Sequence, residues 1–172
     1  MNRGSDGVSA LPSTFKISFY AGTLLAAILG LWLAQLWQAD KQVRLHTEHF
    51  LAQIAERDWS GAGDFIAAEY QDDWGHDRKE VLNRLHLVLR FFTSLTITPA
   101  HPQVSANAPA GWWSAKVQIA GEGSEFTREI VDRVNGVTEP FVLHWQRQSW
   151  RPWDWKLIRV SNPGLEIPER GF

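Results

Sequence analysis

The chain has 172 residues, with 17 Lys+Arg against 19 Asp+Glu, a formal net charge of -2, 44% hydrophobic and 21% charged residues, and no Cys. This composition excludes a disordered chain, a collagen-like repeat and a basic nucleic-acid binder held by phosphate neutralisation. Without cysteine there is no disulfide, no zinc thiolate centre and no thiol nucleophile.

After a short tail over residues 1–16, Ile17 to Gln38 reads ISFYAGTLLAAILGLWLAQLWQ, with no charged residue. At about 1.5 Å per residue this run is long enough for a ~30 Å hydrocarbon core, and it predicts a transmembrane helix with Tyr20 and Trp37 in the interfacial belts. A buried core helix fits less well, because nothing marks a polar face. A cleaved signal peptide also fits less well. The apolar run is too long, and Trp37-Gln38-Ala39 places Trp where a small residue is needed. Arg3 and Lys16 before the run balance Lys41 and Arg44 after it. The free amino terminus then tips the orientation toward a membrane protein whose domain faces the extracytoplasmic, periplasmic side. Gly22, Ala26, Gly30 and Ala34 recur every four residues, a ridge that suits helix pairing in a homodimer and equally suits the ordinary Gly/Ala content of such helices.

Residues 40–172 carry 15 basic and 18 acidic side chains, with no polybasic stripe, and are numerous enough for one hydrophobic core. Val43, Thr47, Phe50, Leu51 and Ile54 mark one face of a helix that fades at Arg57-Asp58. Ala62, Phe65, Ile66 and Tyr70 mark a short second helix. Asp77 and Glu80 form a capping-box start for a third helix through Val81, Leu82, Leu85, Val88, Leu89 and Phe92. After Thr93 the period changes to two. Trp113, Ala115, Val117 and Ile119 alternate with polar neighbours, and Gly121-Glu122-Gly123 supplies a turn. Phe126, Ile130 and Val134 share a parity that predicts a strand over Ser124–Asn135. Phe141, Leu143 and Trp145 begin another strand, which breaks at Ser149–Pro152, and Trp153, Trp155 and Leu157 begin the last. Helices followed by an antiparallel meander predict an α+β domain over 40–168, its helices packed on a concave sheet face, with a short tail over 169–172.

The closing hairpin LHWQRQSWRPWDWKLIRV, in particular Trp153-Asp154-Trp155-Lys156-Leu157, and the segment Tyr70-Gln71-Asp72-Asp73-Trp74 resemble the nuclear transport factor 2-like (NTF2-like, SnoaL-like, cystatin-like cone) superfamily over roughly residues 43–168. The resemblance implies a cone of helices on a curved sheet, and it implies fold far more than function. In layout, an N-terminal anchor followed by such a domain resembles the inner-membrane scaffold components of type IV secretion systems, where Asn162-Pro163-Gly164 is similar to an Asn-Pro turn.

On the strand parity of Phe126, Ile130 and Val134, Arg128 and Asp132 face the cone. If Val134 pairs with Phe141 and Trp145 with Trp155, Arg128 lies beside Arg147 and Arg147 beside Trp153. With Tyr70, these residues would line an anion or carboxylate site of guanidinium and aromatic groups. The alternatives are an Arg128 ion pair, an Arg147 at a solvated strand end, or a bulge that shifts the register. Trp145 and Trp155 share the core parity, whereas Trp112 and Trp150 are candidates for an exposed partner surface. His46 and His49, spaced i, i+3, lack a third ligand and read as a surface pair, so no metal is expected. His76 suits a cap or turn beside Asp77. His86 lies one turn from the core face of the third helix, and His144 has the parity opposite to Trp145. Ketosteroid-isomerase-like and dehydratase-like members of the superfamily perform acid–base chemistry in the cone, which implies Asp132 as a weak candidate base with Tyr70 as donor. Phosphate-loop, nucleophile-elbow and metalloprotease motifs are absent. The expected function is a non-catalytic binding or assembly module at a membrane, with no cofactor and no nucleic acid. The partner would be a protein or a small apolar or anionic ligand. The competing expectation is a small-molecule-binding or isomerase/dehydratase-like domain.

Overall fold

The structure, a computed structural model, describes residues 13–165, and within them the side chains of 18–32 and 37–165. The chain divides into two units, one ending at Leu36 and the other beginning at Trp37. The first contains α1 (Ser13–Leu36). Phe19, Tyr20, Leu24, Leu25, Ile28, Leu29, Leu31 and Trp32 are all more than half exposed on it. Among the described residues no helix is long and apolar enough to cross a membrane. The span read over Ile17–Gln38 is therefore not supported by them; its side chains are described only over 18–32 and at Trp37 and Gln38.

The second unit opens with α2 (Ala39–Glu56), whose Val43, Thr47, Phe50 and Ile54 recur at helical spacing and are buried. It stops at Arg57, a left-handed residue with φ 60° whose N–H is held by the Gln53 and Ile54 carbonyls. The Arg57 guanidinium then donates to the carbonyls of Phe92 (2.7 Å) and Thr93 (3.2 Å), fastening this helix end to the start of the sheet. In α3 (Trp59–Phe65), the Asp58 carboxylate accepts the Gly61 N–H at 2.9 Å. The helix ends before Tyr70, contrary to the apolar spacing, because the chain from Ile66 onward is taken up by the sheet. Ala67, Gln71 and Asp73 donate their N–H groups to the Leu157, Ile158 and Val160 carbonyls, so this loop covers the free edge of the last strand. The capping box Asp77/Glu80 starts α4 (Arg78–Leu89) as expected. That helix also stops short of its predicted end, and the buried Phe92 opens the first strand instead.

The strands β1 (Phe92–Asn107), β2 (Ala110–Gly123), β3 (Phe141–Arg147) and β4 (Trp155–Ser161) form one antiparallel sheet in the order β1-β2-β3-β4. The sixteen-residue β1 carries Pro99 and Pro102, which sequence patterning treats as breakers. It tolerates them as an edge strand with a register shift between Ala100 and Gln103, where His101 takes φ 51°.

The strand expected over Ser124–Asn135 is a helix, α5 (Glu125–Gly136). Phe126, Ile130 and Val134 are spaced by four, which is one parity on a strand and also one face on a helix, so the spacing does not decide between them. The tertiary context does. β3 pairs with β2 only along Ala110–Ala115, and beyond that α5 packs on β2 in place of a strand. The Asn135 amide completes the substitution. Its oxygen accepts the Ile119 N–H at 2.8 Å and its nitrogen donates to the Ile119 carbonyl at 2.9 Å, as a neighbouring strand would. Gly123 permits the tight turn into α5, since a Cβ there would lie 2.0 Å from the Phe91 carbonyl oxygen.

Candidate functional site

The concave face of the sheet is occupied by its own side chains. Trp113, Trp145 and Trp155 are at most 2% exposed and pack with Val43, Phe50, Ile54, Ile66 and Leu157 in one core. At about 25 cal/mol per Å² and roughly 200 Å² for each aromatic, one buried indole contributes on the order of 5 kcal/mol as an upper estimate. A ligand would have to displace that. Trp145 lies edge-on to His46 (5.9 Å) and Phe50 (6.3 Å). Trp155 Nε1 donates to the Pro152 carbonyl at 2.9 Å. Trp145 Nε1 and Arg147 Nε are buried donors without a partner among the described residues.

The register differs from the sequence reading. A bulge between His144 and Trp145 sets Trp145 opposite Leu157 and Arg147 opposite Trp155, so Arg147 does not face Trp153. Arg128 and Asp132 do not face the cone. Both are exposed on α5, because positions i+2 and i+6 from Phe126 fall on the far side of a helix. Arg128 and Arg147 therefore sit on different elements, and the paired-guanidinium site is not formed from one sheet face. Tyr70 is buried, and its hydroxyl titrates well above the usual tyrosine range through burial first and then the charges of Asp72 and Asp73. Trp150 is 82% exposed, Trp153 53% and Trp112 37%. On α1, Gly22, Ala26 and Gly30 are exposed, and a Cβ added at either glycine would meet no described atom within 4 Å. The side chain of Ala34 lies outside the described residues.

Two polar arrangements escaped the sequence. In the loop along β4, the buried Asp72 accepts the N–H groups of Trp74 (3.0 Å) and His76 (2.7 Å) on one oxygen and pairs with His76 Nδ1 at 3.0 Å on the other. The i, i+4 spacing of Asp72 and His76 was the available signal. Next to it Asp73 pairs with Arg159, and His144 lies 3.5 Å from the Ser161 hydroxyl. Burial lowers the His144 pKa and Arg159 lowers it further, against Asp73. On α2, both ring nitrogens of His46 meet carbonyl oxygens, Nδ1 that of Gln42 (2.8 Å) and Nε2 that of Trp153 (2.9 Å). Burial nonetheless lowers its pKa, the two carbonyls opposing and His49 and Lys156 adding to the effect. Among the described residues no group of three His, Asp or Glu could hold a metal.

Two open clefts lie outside the cone. One, of about 310 Å³, runs between the 66–69 loop, Arg78, Gln148 and Lys156, and the other, of about 390 Å³, lies over Ala68, Asp77, Arg78, Lys79 and Leu82. Two of their cations are already engaged, since Arg78 donates to the Gly63 carbonyl at 2.8 Å and Lys156 to that of Asp64. Neither cleft gathers a nucleophile and a base.

Helices packed on a four-stranded antiparallel sheet match solved structures. A putative aromatic ring hydroxylase from Novosphingobium aromaticivorans superposes with a TM-score of 0.57 at 10% identity, covering 76% of this chain and 91% of that one. A putative ketosteroid isomerase from Shewanella frigidimarina superposes at 0.53 with 17% identity over 72% and 95% of the two chains. A putative dehydratase from the NTF2-like family of Streptomyces avermitilis does so at 0.53 with 16% identity over 71% and 93%. The second unit has the NTF2-like fold. A Bdellovibrio bacteriovorus protein shares this fold at 0.53 and 8% identity, and this chain spans 39% of its length. No protein-family model and no curated protein matches the sequence. At these identities the likeness concerns the fold alone.

Proposed function

We propose that the chain is a non-catalytic binding or assembly module that holds its NTF2-like domain at a membrane through α1. The observation that carries the reading is the distribution of apolar surface. The cone is closed by Trp113, Trp145 and Trp155, while eight large apolar side chains of α1 and four tryptophans of the second unit are turned outward. A helix apolar on every side must be covered by lipid or by protein. Ile17–Gln38 carries no charge to oppose lipid. The exposed small residues of α1 leave room for a second copy, so a homodimer in the membrane belongs to the same proposal. The test is flotation of the full chain with lipid vesicles, followed by carbonate extraction. The wild type is expected to float and resist extraction, and a Leu25→Arg/Leu29→Arg variant to remain below. A wild type that stays with the soluble fraction overturns the anchor.

A second reading rests on the unpartnered Trp145 Nε1 and Arg147 Nε, two buried donors on the same face of β3. A small acceptor-bearing molecule seated there would satisfy both. Native mass spectrometry of the full chain in detergent decides. A stoichiometric small molecule that is lost on Arg147→Lys substitution favours a ligand-binding domain, and bare chains favour the assembly module.

A further inference from the structure

The exposed tryptophans of the second unit gather at one pole, the pole through which the chain enters that unit. Four contacts define it. The Asp40 carboxylate in the first turn of α2 accepts the Ala106 N–H at the far end of β1. Val43 lies against Gly111, where an added Cβ would come within 2.9 Å of its Cγ2. His46 Nε2 meets the Trp153 carbonyl at 2.9 Å, and the Arg147 N–H donates to the Pro109 carbonyl at 2.8 Å. The start of α2, the β1–β2 turn and the β3–β4 hairpin are thereby one surface.

That surface carries Trp37 (54% exposed), Trp112, Trp150 and Trp153, whereas Trp59 and Trp74 elsewhere in the unit are half-buried. Its charge also differs from that of the rest. Residues 37–46, 106–112 and 147–154 contain Lys41, Arg44, Arg147 and Arg151 against Asp40 and Asp154, on a domain with more acids than bases. Asp40 is engaged with Ala106, and Lys41, Arg44 and Arg151 are exposed. Glu69, hydrogen-bonded to Gln148 at 2.9 Å, lies at the border.

Indoles settle at the headgroup level of a bilayer, and Lys and Arg reach lipid phosphates over their aliphatic stems. We infer that this pole is a second membrane contact. Trp150 and Trp153 lie among the headgroups of an anionic bilayer, with Lys41, Arg44 and Arg151 on its phosphates. The inference rests on the anchor reading above and adds to it the face of the domain that meets the lipid and the charge of that lipid.

A chain without cysteine accepts single labels cleanly. Full-length Ser149→Cys and Asn107→Cys at the pole, and Glu122→Cys at the opposite end of the β1–β2 hairpin, each carrying an environment-sensitive fluorophore, are reconstituted in phosphatidylcholine vesicles with and without phosphatidylglycerol and quenched with acrylamide. The expected result is severalfold weaker quenching at 149 and 107 than at 122. The difference should shrink without the anionic lipid and in a Trp150→Ala/Trp153→Ala background. Chains that float but are quenched equally at all three positions overturn the pole contact and leave the anchor standing. Chains that do not float overturn both. Protection at 149 and 107 in detergent without vesicles, rising with protein concentration, also overturns the proposal and assigns the pole to a second copy.

Discussion

Asn135 and His46 act through the backbone of distant segments, contacts that no periodicity announces. Asn135 supplies the hydrogen bonds of a missing strand to Ile119, which is 8% exposed. Asn135→Ala leaves a buried N–H and C=O without partners and is expected to cost about 1–3 kcal/mol in chemical denaturation. Asn135→Asp, which can only accept when ionised, should recover part of that at most. For His46 and His144 the folded-state pKa lies below the unfolded value of 6.5, mainly through burial. The unfolded chain then binds more protons than the native one between the folded pKa and 6.5. Stability is therefore full above about pH 6.5 and declines as pH falls through that window. Thermal melts from pH 7.5 to 5 should show the midpoint dropping, and a His46→Gln/His144→Gln variant should flatten the profile. Arg128 and Asp132, by contrast, are exposed on α5. Replacing either by Ala should change unfolding free energy by no more than about 0.5 kcal/mol.

Among the elements, the sequence is legible where one short-range pattern has one meaning. Asp77 and Glu80 form the reciprocal capping box of α4, with Glu80 N–H on Asp77 at 2.9 Å and Asp77 N–H on Glu80 at 3.1 Å. Asp77→Ala should destabilise the domain by about 1 kcal/mol, read as a shifted urea midpoint with unchanged slope. α2 was equally legible, because its buried residues at 43, 47, 50 and 54 fit a helical face and no strand parity. α5 was not, because a spacing of four fits both. β1 was hidden by Pro99 and Pro102, which an edge strand accepts and a sequence window reads as breaks. The Tyr70 segment was drawn off the end of α3 by hydrogen bonds to β4, a partner lying some ninety positions away that local propensity does not include.

For the whole molecule, the separation of buried from exposed tryptophan governs both stability and function. Trp145→Ala empties a site that is 1% exposed and is expected to cost about 3–5 kcal/mol, enough to remove much of the cooperative transition of a domain this size. Trp150→Ala, at a position 82% exposed, should leave the melting curve where it was and affect only what the surface touches. Calorimetry of the two variants separates core from contact. The sequence by itself determined the three helices of the domain that precede its first strand, the apolar run of α1, and the core parity of Trp113, Trp145 and Trp155, and its closing hairpin carried the resemblance to the NTF2-like fold. The first three follow from composition or from a period that one element alone can satisfy, and the last is a likeness to a known family. Tertiary structure alone decided that α5 is a helix, that a bulge at His144/Trp145 sets Arg147 against Trp155, that the cone is filled, and that four exposed tryptophans share a pole. Register, bulges and the meeting of distant loops depend on which backbone groups find partners across the fold, and a single chain read in order carries no term for those pairings.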